Sequence, residues 1–107
     1  MRILLDECVP KGLKRSFRPA HQALTVADAG WGGLKNGALL QRVAEQFEVF
    51  VTVDGSIRHQ QRLEKYQIVF VLLEAVRNDI VVLEPLVPRV LEALATAKPG
   101  DLIVIGG

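Results

Sequence analysis

Two short apolar runs end in carboxylates. Ile3-Leu4-Leu5 leads into Asp6 and Glu7, and Val49-Phe50-Val51-Thr52-Val53 leads into Asp54. Runs of this length and content suit strands buried in a parallel sheet, and open α/β sheets bind ligands beyond the carboxyl ends of their strands. If the two runs are neighbours, about 4.8 Å apart, their terminal carboxylates can converge on one ion with ligand distances of about 2.0 to 2.1 Å. That is the chemistry of Mg²⁺ or Mn²⁺, which keeps several waters and needs one or two protein carboxylates beside a substrate phosphate. The reaction expected is metal-assisted attack of water on a phosphodiester, with Asp6 and Asp54 as metal ligands and Glu7 as a further ligand or a water-orienting base. The same acids also suit a purely structural role, starting turns or favouring nearby helix N-termini.

Cations follow each acidic point. Lys11, Lys14, Arg15 and Arg18 come after the first, and Arg58, Arg62 and Lys65 after the second. Lining a groove, they would neutralise RNA phosphates; the plainer alternative is a solvated helix face. Between them lies the glycine-rich stretch Asp28-Ala29-Gly30-Trp31-Gly32-Gly33-Leu34-Lys35. It is too long for a simple turn and precedes a helix start, where backbone donors can receive a phosphate. It carries neither a dinucleotide fingerprint nor a P-loop pattern, so a structural loop with Trp31 packed as a lid competes with a nucleotide site. Lys11, Lys14, Arg15, Lys35, Asn36 and Arg58 are therefore the candidate substrate-binding residues. Cys8 stands beside two acids that oppose thiolate formation and reads as a small packed residue. His21 and His59 have no zinc spacing, and Ser16 and Ser56 have no nucleophile context.

These residues need a scaffold, and periodicity supplies one. Pro10 suits a first helical position, and Val9, Leu13 and Phe17 recur four apart on a helix that Pro19 stops. Ala23-Leu24-Thr25-Val26 reads as a second strand, and Asn36 as the N-cap of a helix with Leu39, Leu40, Val43, Ala44 and Phe47 on its buried side, ending near Gln46. After the strand Val49 to Val53 comes a polar, helical segment, Ile57 to Lys65, including His59, Gln60 and Gln61, and then a strand, Ile68 to Leu73. Asp79 caps a short turn. Pro85 and Pro88 disfavour helix in the residues before them, so the last helix is expected only after them, running to about Ala97 with Val90, Leu91 and Leu94 inward. Pro99-Gly100 then turns into a last strand, Leu102 to Ile105, of undetermined direction.

Alternating strands and helices predict a three-layer α/β/α domain spanning residues 1–107, with a mainly parallel sheet of about five strands. The expected order begins 2-1-3, with the fourth and fifth strands extending the far side, which puts a topological switch between Asp6 and Asp54. Half the residues (50%) are apolar and 23% charged, with a formal charge of +1, as in an ordinary globular domain. Charge alone will not drive non-specific nucleic-acid binding. No apolar run reaches the roughly 18 residues of a membrane span, and no leader precedes the first strand, so no membrane partner and a cytoplasmic location are expected. The single cysteine agrees with a reducing compartment. A homo-oligomer is compatible with all of this.

The opening Ile3-Leu4-Leu5-Asp6-Glu7 with Pro10 and Leu13, the loop Gly30-Trp31-Gly32-Gly33-Leu34-Lys35-Asn36-Gly37 and the run Val51-Thr52-Val53-Asp54 occur in a set order and spacing. Over nearly the whole chain this resembles the small PIN-like proteins of the DUF5615 family, related to the Mut7-C type of PIN domain. The resemblance implies a PIN-like fold with a metal site at the strand ends. It also implies a ribonuclease acting as the toxin of a bacterial toxin-antitoxin pair, with RNA as substrate and a small antitoxin-like protein as partner. By position, Asp6 and Asp54 match the family's acidic sites. One departure stands out: many relatives have an aspartate at the start of the second helix, where this chain has Asn36 and Gly37. An amide oxygen can ligate a metal but supplies no charge. The alternative is thus a catalytically weakened or inactive module that binds a protein or RNA partner.

Overall fold

The computed structural model describes residues 1–60 and 62–106, without the side chain of Asn36. Two positions named above are affected: Gln61, and the side chain of Asn36, lie outside the described residues. Strands β1 (Arg2–Leu5), β2 (Gln22–Thr25), β3 (Val49–Thr52), β4 (Val69–Glu74) and β5 (Leu102–Gly106) form one sheet in the order β2-β1-β3-β4-β5. Every neighbouring pair is parallel, β5 included. Helices α1 (Asn36–Gln46), α2 (Ile80–Leu83) and α3 (Val87–Leu94) complete a mixed α/β architecture of three layers.

The layers follow from alternation along strands that are buried on both faces. Ile3, Leu5, Val49, Val51, Val69, Val71 and Leu73 point to one face, where they pack with Leu13 and Phe17, with Leu83 of α2, and with Val87, Val90 and Leu94 of α3. Leu4, Phe50, Phe70 and Leu72 point to the other, against Leu39, Leu40 and Val43 of α1, with Phe47, Trp31, Ile57 and Leu63. Phe70 meets Phe50 and Tyr66 edge to face at centroid distances of 6.4 and 6.3 Å.

Four expectations about helices need correction, the last being Asn36 as the N-cap of α1. The segment after Pro10 is a 3-10 helix, Lys11–Phe17, and Pro10 precedes it as the cap residue. Two prolines and Gly12 bracket too few residues to nucleate an α-helix, while Val9, Leu13 and Phe17 are buried all the same. The polar segment forms two short 3-10 helices, Gly55–His59 and Leu63–Tyr66, because Gln60 is extended and Arg62 is left-handed (φ 57°). At the C-terminal end the chain is helical from Ile80, well before the prolines, and α3 ends at Leu94. Glu84 and Val87, each preceding a proline, are themselves helical. Each proline sits in the first turn of a short segment, where its missing N–H has no intrahelical partner to lose, and burial of Leu83, Leu86, Val87 and Val90 outweighs the local pre-proline bias. Asp79 does cap α2, its carboxylate accepting from Val82 N at 3.1 Å.

At α1 the cap residue is Lys35, in extended conformation, and Asn36 is the first helical residue. No helix of the described residues is long and apolar enough to cross a membrane.

Candidate functional site

From β1 the chain crosses to β2 on one side and from β3 to β4 on the other, so the carboxyl ends of the adjacent strands β1 and β3 border the crevice at the topological switch. Leu5 pairs with Val51, and the ladder continues one step further through Asp6 N–H to Val51 O at 2.9 Å, which sets Asp6 beside Thr52. Side-chain alternation does the rest. Asp6 continues the parity of Leu4, and Thr52 and Asp54 continue that of Phe50, so all three extend the α1-facing side of the sheet.

They open into a cavity of about 210 Å³ lined by Asp6, Glu7, Thr52, Asp54, Ser56 and Gln60, by Lys35, and by Leu34, Leu39, Leu40, Phe50 and Ile57. Asp6 and Glu7 also border a broader groove of about 750 Å³ on their other side, with Cys8, Pro10, Lys11, Asn78 and Ile80. The acidic pair is thus the divide between two open spaces.

Thr52 holds the acids in register. Its hydroxyl donates to Asp6 Oδ2 at 2.7 Å and accepts from the Asp54 backbone N–H at 3.0 Å, and the residue is only 1% exposed. Asp6 Oδ1 accepts from Glu7 N–H at 2.8 Å, and Asp54 Oδ1 accepts from Ser56 N–H at 2.9 Å. Both aspartates therefore start turns, as the structural reading expects, and both still point into a shared cavity. The thiol of Cys8 donates to Asp6 Oδ2 and lies against Thr52 Oγ1, each at 3.5 Å. Burial pushes this thiol above its ordinary pKa, and the Asp6 charge adds to the rise against the opposing hydrogen bond from Thr52. It is a packed, protonated thiol.

The cations divide among different tasks. Lys35 lines the acidic cavity and Lys11 the adjoining groove. Lys14 forms a 2.8 Å ion pair with Asp28, and that aspartate also takes the Thr25 backbone N–H, anchoring the start of the glycine loop. The Lys14 hydrogen bond, then the Thr25 backbone bond, hold Asp28 down at about 2. Arg58 pairs with Glu74 at 2.5 Å, and Arg15 lies exposed on the Lys11–Phe17 helix, lining neither space. Trp31 is core rather than lid: it is buried and meets Phe47 edge to face at 5.8 Å.

The donors in the cavity are hard carboxylate oxygens, which suit Mg²⁺ or Mn²⁺ rather than a softer metal. Among the described residues no three His, Cys, Asp or Glu side chains form a group that could hold a metal by itself. The fit is therefore to an ion taking one or two carboxylates and completing its shell with water and phosphate. Sequence reading missed Thr52, Gln60 and the apolar wall. For Thr52 a signal existed: it is the one hydroxyl in an otherwise apolar run and shares its parity with Asp54. No protein-family model matches the chain, and neither a curated protein nor a solved structure matches it.

Proposed function

We propose that the chain is a PIN-like, Mg²⁺- or Mn²⁺-dependent endoribonuclease. The observation that carries this reading is the convergence of Asp6, Glu7 and Asp54 on one cavity at the switch between β1 and β3, tied together by the buried Thr52 hydroxyl. Asp6 and Asp54 would hold the ion, which when bound polarises a phosphodiester and activates water. Glu7, exposed at the cavity edge, is free to orient that water, while Lys35 offers its charge to the phosphate. The neighbouring groove, which carries Lys11 beside Asp79, would give a polymer space on the far side of the acids, as internal cleavage requires. A role as the toxin of a toxin-antitoxin pair rests on the motif resemblance. The test is RNA cleavage by the purified chain with and without divalent metal, beside Asp6→Asn and Asp54→Asn; cleavage persisting in both variants would refute the assignment.

A second reading is a non-catalytic module that binds a protein or RNA partner. It is favoured by the hydrogen bonds that already engage both aspartates and by the amide residue, Asn36, where relatives of the resembled family carry an acid. It predicts no metal response at all.

A further inference from the structure

The cavity that holds the carboxylates has a second half that metal chemistry leaves unused. Leu34, Leu39, Leu40, Phe50 and Ile57 wall it, and the half-buried Gln60 lines the same space. The whole cavity, its acidic half included, measures about 210 Å³.

We propose that this half is a nucleobase subsite, in which one unstacked base of the bound strand lies against Leu39, Leu40 and Ile57 while the Gln60 amide hydrogen-bonds its edge. The position of the phosphate rests on the nuclease reading above; the base contacts do not. Single-stranded nucleic acid is commonly read by stacking its bases on aromatic side chains, and here aliphatic side chains would give an extruded base apolar contact in place of that stacking. A side-chain amide offers a donor beside an acceptor, the pairing that a base edge presents. An aliphatic side chain from a peptide would fill the apolar wall but leave the half-buried Gln60 amide unmatched. A base satisfies both halves.

Nucleosides test this without any phosphate or metal. Adenosine, guanosine, cytidine and uridine, with ribose as control, are titrated into the ¹⁵N-labelled chain while backbone amide resonances are followed. At least one nucleoside should shift Leu39, Leu40 and Ile57 through Gln60 saturably, ribose should not, and Gln60→Ala should weaken the preferred nucleoside by about 10-fold. Leu39→Glu should abolish the response; should that variant not fold, Gln60→Ala, at a half-exposed position, decides alone. Equal responses to ribose and nucleosides, or an unchanged affinity in Gln60→Ala, would overturn the subsite, as would N-acetyl-leucinamide binding these residues more tightly than any nucleoside. Base-selective binding by a chain that cleaves no RNA would keep the subsite and remove the nuclease. Metal-dependent cleavage indifferent to an abasic position anywhere in the substrate would do the reverse.

Discussion

The Thr52 hydroxyl donates to Asp6 Oδ2 at 2.7 Å from a strand buried on both faces, and the same oxygen accepts the Asp54 N–H at 3.0 Å. One buried side chain thus sets the spacing of two acids that come from different strands. Thr52→Val keeps the shape but removes both bonds, leaving the part-buried Asp6 Oδ2 with the Cys8 thiol and water and the Asp54 N–H without its acceptor. It should cost about 1 to 3 kcal/mol in urea denaturation, and Thr52→Ser should recover most of that. If the two acids share an ion, Thr52→Val should also weaken metal binding more than its effect on stability alone would suggest.

Metal binding has its own signature in stability. An ion that binds only the folded chain stabilises it by about 2.7 kcal/mol at 100 times its dissociation constant. A thermal shift with Mg²⁺ or Mn²⁺ is expected for the unmodified chain and should be lost in Asp6→Asn and in Asp54→Asn. Arg15→Gln, on an exposed side chain away from the cavity, should leave it unchanged.

The Asp28 carboxyl, held at about 2 against an ordinary 3.8 by Lys14 and the Thr25 N–H, makes a pH-dependent contribution. Because its folded pKa is depressed, the stability it adds is fully present above pH 3.8 and is lost as pH falls through about 2. Asp28→Asn should therefore unfold at lower denaturant than the unmodified chain at neutral pH, and the two curves should converge between those values. High salt should narrow the neutral-pH difference, since the pair is exposed.

Cys8 should react slowly. Its thiol is half-buried, hydrogen-bonded to Asp6 and raised in pKa chiefly by burial, so alkylation by iodoacetamide at pH 7 should run below the rate of a free cysteine peptide and climb as pH rises. Reaction faster than the peptide would show an activated thiol and contradict the packing seen here.

Gly100 has φ +96°, and a Cβ there would stand 3.3 Å from both Cα and Cβ of Glu64. Its N–H also bonds Ile68 O at 2.7 Å, which fixes the approach to β5. Gly100→Ala should destabilise the chain by about 1 to 2 kcal/mol from backbone strain, with the close contact adding to it.

Much of this molecule is legible in its residues. Strands buried on both faces show as unbroken apolar runs, so β1, β3 and β4 are found within a residue or two, as is the half-buried edge strand β5, and the order β2-β1-β3-β4-β5 agrees with the one expected if the first and third strands pair. The stripe of Val9, Leu13 and Phe17 is visible although the helix type is not, because burial depends on spacing while the choice between 3-10 and α depends on a balance of weak local terms. The prolines mislead for the same reason: a local preference yields to the burial of Leu83, Leu86, Val87 and Val90, which is decided by what these side chains pack against and not by the neighbours of Pro85 and Pro88.

For the site, the sequence alone determined that Asp6 and Asp54 end strands, since strand ends follow from periodicity; that the two strands are neighbours is an expectation, and the sheet order bears it out. Tertiary structure alone decided what stands between and around them. The Thr52 bridge, the pairing of Lys14 with Asp28 and of Arg58 with Glu74, and the apolar wall with Gln60 join residues distant in the chain. Local pattern carries no information about such partners, because hydrogen bonds and ion pairs are set by where folded elements meet.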